Sequence, residues 1–147
     1  MGDGGFPSSG PAFVVVGGYG LPGRSLVEML RQRRIDYQVI ELNREMCHRV
    51  AAGGVNIMAG DAADLETLRD AGAARANLVV LMMPDDQAVL RGVSNARLLN
   101  PRVHIIARCA YTSCGLEAMR RGADQTIVAE QIIATELGQL ASPFLSI

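Results

Sequence analysis

Residues 14–23 read VVVGGYGLPG, a β-branched apolar run that breaks into a cluster of glycines and a proline. The run suits a strand covered on both faces. The glycines mark a turn whose backbone bends sharply or is approached closely. Only one register satisfies G-x-G-x-x-G here: Gly18, Gly20 and Gly23. When this pattern follows a strand and opens a helix, each glycine has its own task. Gly18 allows the tight turn, Gly20 lets a pyrophosphate come close to the backbone, and Gly23 lets the helix pack against the strand. Pro22 falls in the first helical turn, where its missing N–H costs nothing. The open N–H groups at that helix start would face a phosphate.

The rest of the chain continues the alternation of short apolar runs with amphipathic ones. Strands are expected at Phe13–Gly17, Tyr37–Glu41, Val55–Ala59, Asn77–Met83, Val103–Ala107 and Asp124–Val128. Helices are expected at Leu21–Arg34, from Asn43 to near Gly53, from Asp64 to Gly72, from Asp85 or Asp86 to Leu99, at Ser113–Arg121 and at Glu130–Leu140. Connections of this kind imply right-handed crossovers and a parallel sheet. The expected fold is α/β: a Rossmann-like, doubly wound, six-stranded sheet in the order 3-2-1-4-5-6 with helices on both faces. One domain is expected over residues 12–141, with residues 1–11 a Gly/Pro/Ser-rich flexible lead-in and 142–147 a tail. The last helix carries Ile132, Ile133, Leu137 and Leu140 on a broad face, half of which would pack on the sheet and half on a partner subunit.

The second strand ends in Glu41, about twenty residues beyond the glycines, where a carboxylate can accept from both ribose hydroxyls and repel a 2′-phosphate. NADP is therefore disfavoured. Arg24 could pair with a terminal phosphate, or be a solvated helix-start arginine. Asp61, in Gly60-Asp61-Ala62 after the third strand, could accept from an adenine amino group or cap the next helix. Met82, Met83 and Pro84 end the fourth strand across the switch point, as nucleotide lining or plain packing. Leu21 and Leu42 adjoin these residues and complete the candidate binding set together with Pro22 and Ala62.

Other chemistries are closed off. All 14 basic residues are arginine, so there is no P-loop or Schiff-base lysine. Cys47, Cys109 and Cys114 form no C-x-x-C, and neither His48 nor His104 has partners at metal spacing. They read as structural thiols and satisfied histidines in a reducing compartment. A redox-sensing role for Cys109 and Cys114 is the alternative. A net charge of −1 makes no electrostatic case for nucleic acid. No apolar run approaches the roughly 18–20 residues that span a bilayer, and the first residues lack the regions of a signal peptide. No direct membrane insertion and a cytoplasmic location are expected.

The stretches GGYGLPGRSLVEMLRQRRIDYQVIELN, GDAADLETLRDAGAARANLVVLMMPDD, NPRVHIIARC and RRGADQTIVAE together resemble the RCK domain family, also called TrkA-N or KTN, regulators of potassium conductance. The likeness runs over nearly all of residues 12–140. It implies a cytosolic ligand-sensing module of potassium channels, Trk/Ktr-type uptake systems or Kef-type potassium/proton antiporters, with no catalytic residues and no metal. The implied ligands are NAD(H) or AMP first, with ADP and ATP as further candidates. The implied partners are a second copy in a homodimer, extending to higher rings, and a membrane transporter or channel subunit. Carried over by position, the binding residues are Gly18, Tyr19, Gly20, Gly23, Arg24, Glu41, Asp61 and Arg108. Arg108 also falls at the crevice end of the fifth strand, which suits a phosphate contact or an ion pair. Members often carry Asp where this chain has Glu41, which leaves mono- against dinucleotide preference open. Many continue into a second subdomain beyond the point at which this sequence reads FLSI, so the chain is expected to be either an excised piece of a larger membrane protein or a bare single-domain member. Two other readings compete: a small NAD-dependent oxidoreductase, for which only Tyr111 and Cys109 offer themselves, and an interaction domain without ligand.

Overall fold

A computed structural model describes residues 12–146. The strands are β1 (Phe13–Gly17), β2 (Asp36–Glu41), β3 (Ile57–Ala59), β4 (Leu78–Leu81), β5 (His104–Cys109) and β6 (Gln125–Val128). The helices are α1 (Leu21–Gln32), α2 (Arg44–Ala52), α3 (Leu65–Asp70), α4 (Asp86–Leu99), α5 (Thr112–Arg121) and α6 (Ala129–Leu145), with a 3₁₀ turn at Ala73–Arg75. All strand pairs are parallel and the order is β3-β2-β1-β4-β5-β6, as the sequence predicts. The expected lead-in at residues 1–11 lies outside the described residues, as does Ile147.

Strand periodicity divides the core in two. Val15, Ile40, Val79, Leu81 and Ile105 face Leu68 of α3, Val89 and Val93 of α4, and Ala118 of α5. Val14, Val16, Val39 and Val80 face Val27 and Leu30 of α1, with Met46 and Val50 of α2 packed at the margin. Asn43, Asp64 and Asp85 cap α2, α3 and α4 by accepting from first-turn N–H groups. The sequence left Asp85 and Asp86 open as caps, and the cap is Asp85.

Several boundaries differ from the sequence reading. Helix α1 stops at Gln32 because Arg34 adopts φ +56°, letting Arg34 N–H return to the Arg31 carbonyl and Ile35 N–H to that of Leu30. This is a Schellman closure with arginine where glycine is usual. Strand β4 ends at Leu81. Met82 N–H still bonds the Gly17 carbonyl at 2.7 Å before the chain turns at Pro84. Strand β5 runs two residues beyond Ala107, which places Arg108 inside it.

Two expectations are corrected. Cys109 and Cys114 are joined as a disulfide rather than standing as separate thiols, because the turn from β5 into α5 brings the strand end back over the first helical turn. Cys47 remains a free, buried thiol. Helix α6 does not pack half of its apolar face on the sheet. None of its residues is buried, and Ile132, Ile133, Leu137 and Leu140 are 55%, 66%, 64% and 63% exposed. It also continues through Pro143 to Leu145, beyond the Leu140 read from the sequence. No helix among the described residues is long and apolar enough to cross a membrane.

Candidate functional site

The carboxyl ends of β1 and β4 meet where the strand order reverses, the place at which open α/β sheets bind ligands. The glycine loop closes this point. Gly18 N–H bonds the Ile40 carbonyl at 2.8 Å, pinning the loop to the end of β2. Gly18 has φ +96°, and a Cβ there would meet the Met82 carbonyl at 3.1 Å. Turn and close approach therefore both require glycine at this position. A Cβ on Gly23 would overlap the Gly18 carbonyl oxygen, so α1 packs on the loop itself more than on the strand.

Gly20 is different. Its backbone (φ −77°, ψ −168°) is open to any residue, and a Cβ there would meet nothing within 4 Å. Nothing in the chain explains this glycine, whereas a group laid over the loop would. Gly20 is also the N-cap of α1, and no side chain caps that helix, in contrast to α2, α3 and α4. The first-turn N–H groups, apart from that of Pro22, are thus available to an anion.

Glu41 sits at the tip of β2, half-buried. Its Oε1 accepts from Tyr19 N–H at 3.0 Å and its Oε2 from Asn43 N–H at 2.8 Å. The carboxylate thus ties the glycine loop to the start of α2. Each of its oxygens keeps a second lone-pair site, enough for a pair of ribose hydroxyls. Tyr19 itself is turned into the core, so what it offers the crevice is backbone.

The remaining candidates separate by position. Met82 and Met83 are half-buried at the end of β4, with the Met82 carbonyl against Gly18 and the Met83 sulfur against Gly17. Arg108 donates from Nη1 to the Met83 carbonyl at 3.2 Å and makes no ion pair among the described residues. The structure thus brings Arg108 to the segment that follows β4, and the ion-pair alternative is not realised among the described residues. Asp61 Oδ1 accepts from Ala63 N–H at 2.9 Å. The cap of α3 is Asp64, held below the ordinary carboxylate range by its bonds to Thr67, so Asp61 is released from the capping role. Ala62 is buried beneath Gly17 and serves as floor rather than lining. Leu21, Pro22, Arg24 and Leu42 are exposed around the rim. Arg24 borders, with Tyr19 and Leu21, a groove of about 570 Å³ that runs along α1.

Sequence reasoning missed one feature beside the crevice. Asp86 Oδ1 accepts from Ala110 N–H at 2.9 Å, and Glu130 Oε1 accepts from both Thr112 N–H and its hydroxyl at 2.7 Å. These bonds hold Glu130 below the ordinary carboxylate range, the hydroxyl first and the backbone N–H second. The only sequence signal was Asp86 next to the Asp85 cap.

Fold and site together define a Rossmann-type domain with an open glycine loop, an uncapped start to α1 and a carboxylate at the tip of β2. Residues 14–129 match the TrkA-N domain, and the chain belongs to that family. It is 32% identical over 123 residues to YbaL of Escherichia coli (strain K12), described as a cation/proton antiporter. That match covers 84% of this chain and 22% of YbaL. It is 28% identical over 114 residues to KefB of Alkalimonas amylolytica, described as a K(+) efflux antiporter, covering 78% of this chain and 17% of KefB. The chain thus spans about a fifth of these relatives. The crystal structure of the TrkA-N domain of the inner membrane protein YbaL from Escherichia coli superposes with a TM-score of 0.82 at 31% identity, covering 88% of this chain and 96% of that one. The same fold recurs in the AMP-bound Kef C-terminal domain of Shewanella denitrificans (TM-score 0.76, 24% identity, 92% and 82% covered). It recurs again in the GsuK channel bound to NAD (TM-score 0.78, 20% identity, 90% and 24% covered).

Proposed function

We propose that this chain is the nucleotide-sensing regulatory domain of a membrane cation transporter, of potassium-efflux antiporter or channel type. The observation that carries this reading is Gly20, a glycine that neither backbone conformation nor packing requires, at the uncapped start of α1. An adenine nucleotide would place its phosphates over Gly20 and the first turn of α1, with Arg24 and Arg108 supplying positive charge. Its ribose would lie against Glu41 and Leu42, and its base near Asp61. NAD(H) and AMP are the leading ligands, ADP and ATP the further ones, and Glu41 disfavours NADP through charge repulsion. The ligands of the Kef domain and the GsuK channel support this choice.

We assign the domain no catalytic step; the bound nucleotide acts as a signal. The working unit is residues 12–141 in a homodimer, on the cytoplasmic side of the membrane, joined to its transporter. The exposed apolar residues of α6 are the surface through which the two copies would meet, and higher rings would build on that pair. Ligand shifts the transporter by binding one arrangement of the dimer better than another.

A thermal-shift panel with NAD, NADH, NADP, AMP, ADP and ATP tests the reading. Ligand at about a hundred times its dissociation constant adds about 2.7 kcal/mol. We expect a rise with NAD(H) or AMP that is absent with NADP and blunted in Glu41→Ala. A flat panel would overturn it.

A further inference from the structure

We propose that Cys109 and Cys114 are a reversible redox couple that sets how α6 is anchored to the crevice end of the sheet. Cys109 is the last residue of β5 and fully buried, while Cys114 is the third residue of α5 and lies just beneath the surface. Their bond closes over Ala110 and Tyr111, the turn between the two elements.

That turn is the junction of three parts of the molecule. On the crevice side, Asp86 in the first turn of α4 holds Ala110 N–H, and the neighbouring Arg108 holds the Met83 carbonyl. On the other side, Glu130 N–H donates to the Ala110 carbonyl at 3.1 Å, and Glu130 Oε1 accepts from Thr112. Gln131 Nε2 adds a bond to the Thr112 hydroxyl at 3.2 Å. Helix α6 buries none of its residues, so this strap at its first turn is what fixes its direction. The disulfide is a covalent brace across the same turn. Opening it frees the start of α5 from the end of β5 and lets Ala110 and Thr112 move away from Asp86 and Glu130.

The position also suits exchange. Cys114 lies in the first turn of α5, where the helix end favours a thiolate, and it is the outer of the two sulfurs. A small dithiol would open the pair in two steps. Its thiolate attacks Cys114 Sγ, the S–S bond breaks, and Cys109 leaves as a thiolate that takes up a proton. The reagent's second thiolate then attacks its own sulfur in the mixed disulfide and releases Cys114. The protein gains two electrons and two protons, and the reagent becomes a cyclic disulfide, which reverses the reaction when in excess. In the cytosol, where the sensor reading puts the domain, disulfides are transient or redox-sensing rather than architectural. The inference rests on that reading only for this setting.

The test equilibrates the folded wild-type protein with reduced and oxidised dithiothreitol and counts alkylated thiols by mass. Amide hydrogen exchange at Ala110 and Glu130 is then followed by NMR in each state. We expect the pair to open and close without unfolding, with exchange at both amides at least fivefold faster when reduced and exchange at Val15 and Val16 unchanged. A Cys114→Ala variant should match the reduced protein. Opening only in denaturant would make the bond a plain structural cross-link and overturn the proposal. So would opening in the folded state with no change at Ala110 and Glu130. Thermal shifts with NAD and AMP, run in both states, keep the two readings apart: a flat response in both sinks the sensor reading and leaves the exchange result to stand or fall alone.

Discussion

Replacing Gly23 by alanine separates the glycines that packing requires from Gly20, the one proposed to face a ligand. A Cβ at Gly23 would overlap the Gly18 carbonyl oxygen, a backbone atom that no side-chain rotation can move. Either α1 withdraws from the loop or the loop shifts against Met82 and Ile40, to which it is pinned. Overpacking of this kind costs about 1–3 kcal/mol, and a rigid backbone neighbour places it toward the upper end. Alanine recovers up to about 1 kcal/mol through its helix propensity. The net loss is about 1–2 kcal/mol, or a fall in Tm of roughly 3–6 °C for a domain of this size. Urea titration and a thermal melt of the ligand-free protein would measure it. An unchanged or raised Tm would refute the close contact between α1 and the loop, and with it the geometry on which the proposed binding site is built.

Other perturbations probe the frame. Arg34→Gly should stabilise the domain by about 0.5–1 kcal/mol, seen as a higher urea midpoint, because Arg34 occupies the left-handed region at φ +56° in the Schellman closure of α1. Arg97→Ala should cost about 2–3 kcal/mol, read by denaturation. The guanidinium bonds the carbonyls of Gly122, Asn100, Pro101 and Val103 and pairs with Asp124 at 2.9 Å, joining α4 to the starts of β5 and β6. Glu117 is drawn from 4.5 down to about 2 by hydrogen bonds from Arg120 and then Arg121. Because its pKa is lowered in the fold, its stabilising effect is present above 4.5 and is lost as the pH falls through about 2. An NMR titration of the Glu117 carboxyl should give a midpoint near that value, and Glu117→Gln should remove the corresponding acid-side slope.

Much of the architecture is legible in the sequence because each element announces itself locally. The β-branched runs at Val14–Val16 and Val79–Val80 read as buried strands, and Asn43, Asp64 and Asp85 as helix starts. Gly18, Gly20 and Gly23 mark the tight turn from β1 into α1 by spacing alone. What escaped depends on where the chain returns to itself. Cys109 and Cys114 show no periodic relation; they meet only because the strand end folds back over the first turn of the next helix. Arg34 replaces the glycine that would signal the end of α1. The apolar pattern of α6 states that a face must be covered but not by what, and the sheet does not cover it. Glu41 was recognisable as a carboxylate at a strand tip, while its bonds to the Tyr19 and Asn43 backbone follow from a turn geometry that no pattern encodes.

The most direct test of nucleotide sensing is titration calorimetry of NAD and AMP into the wild-type protein and Gly20→Ala, with a melt of each ligand-free protein alongside. Gly20 accepts a Cβ without touching the chain, so the ligand-free protein should lose no more than the roughly 0.5–1 kcal/mol by which alanine is a poorer helix N-cap than glycine. We expect measurable binding to the wild type and at least tenfold weaker binding to the variant. Equal affinity for the two proteins, or no binding to either, would contradict a phosphate seated over the loop.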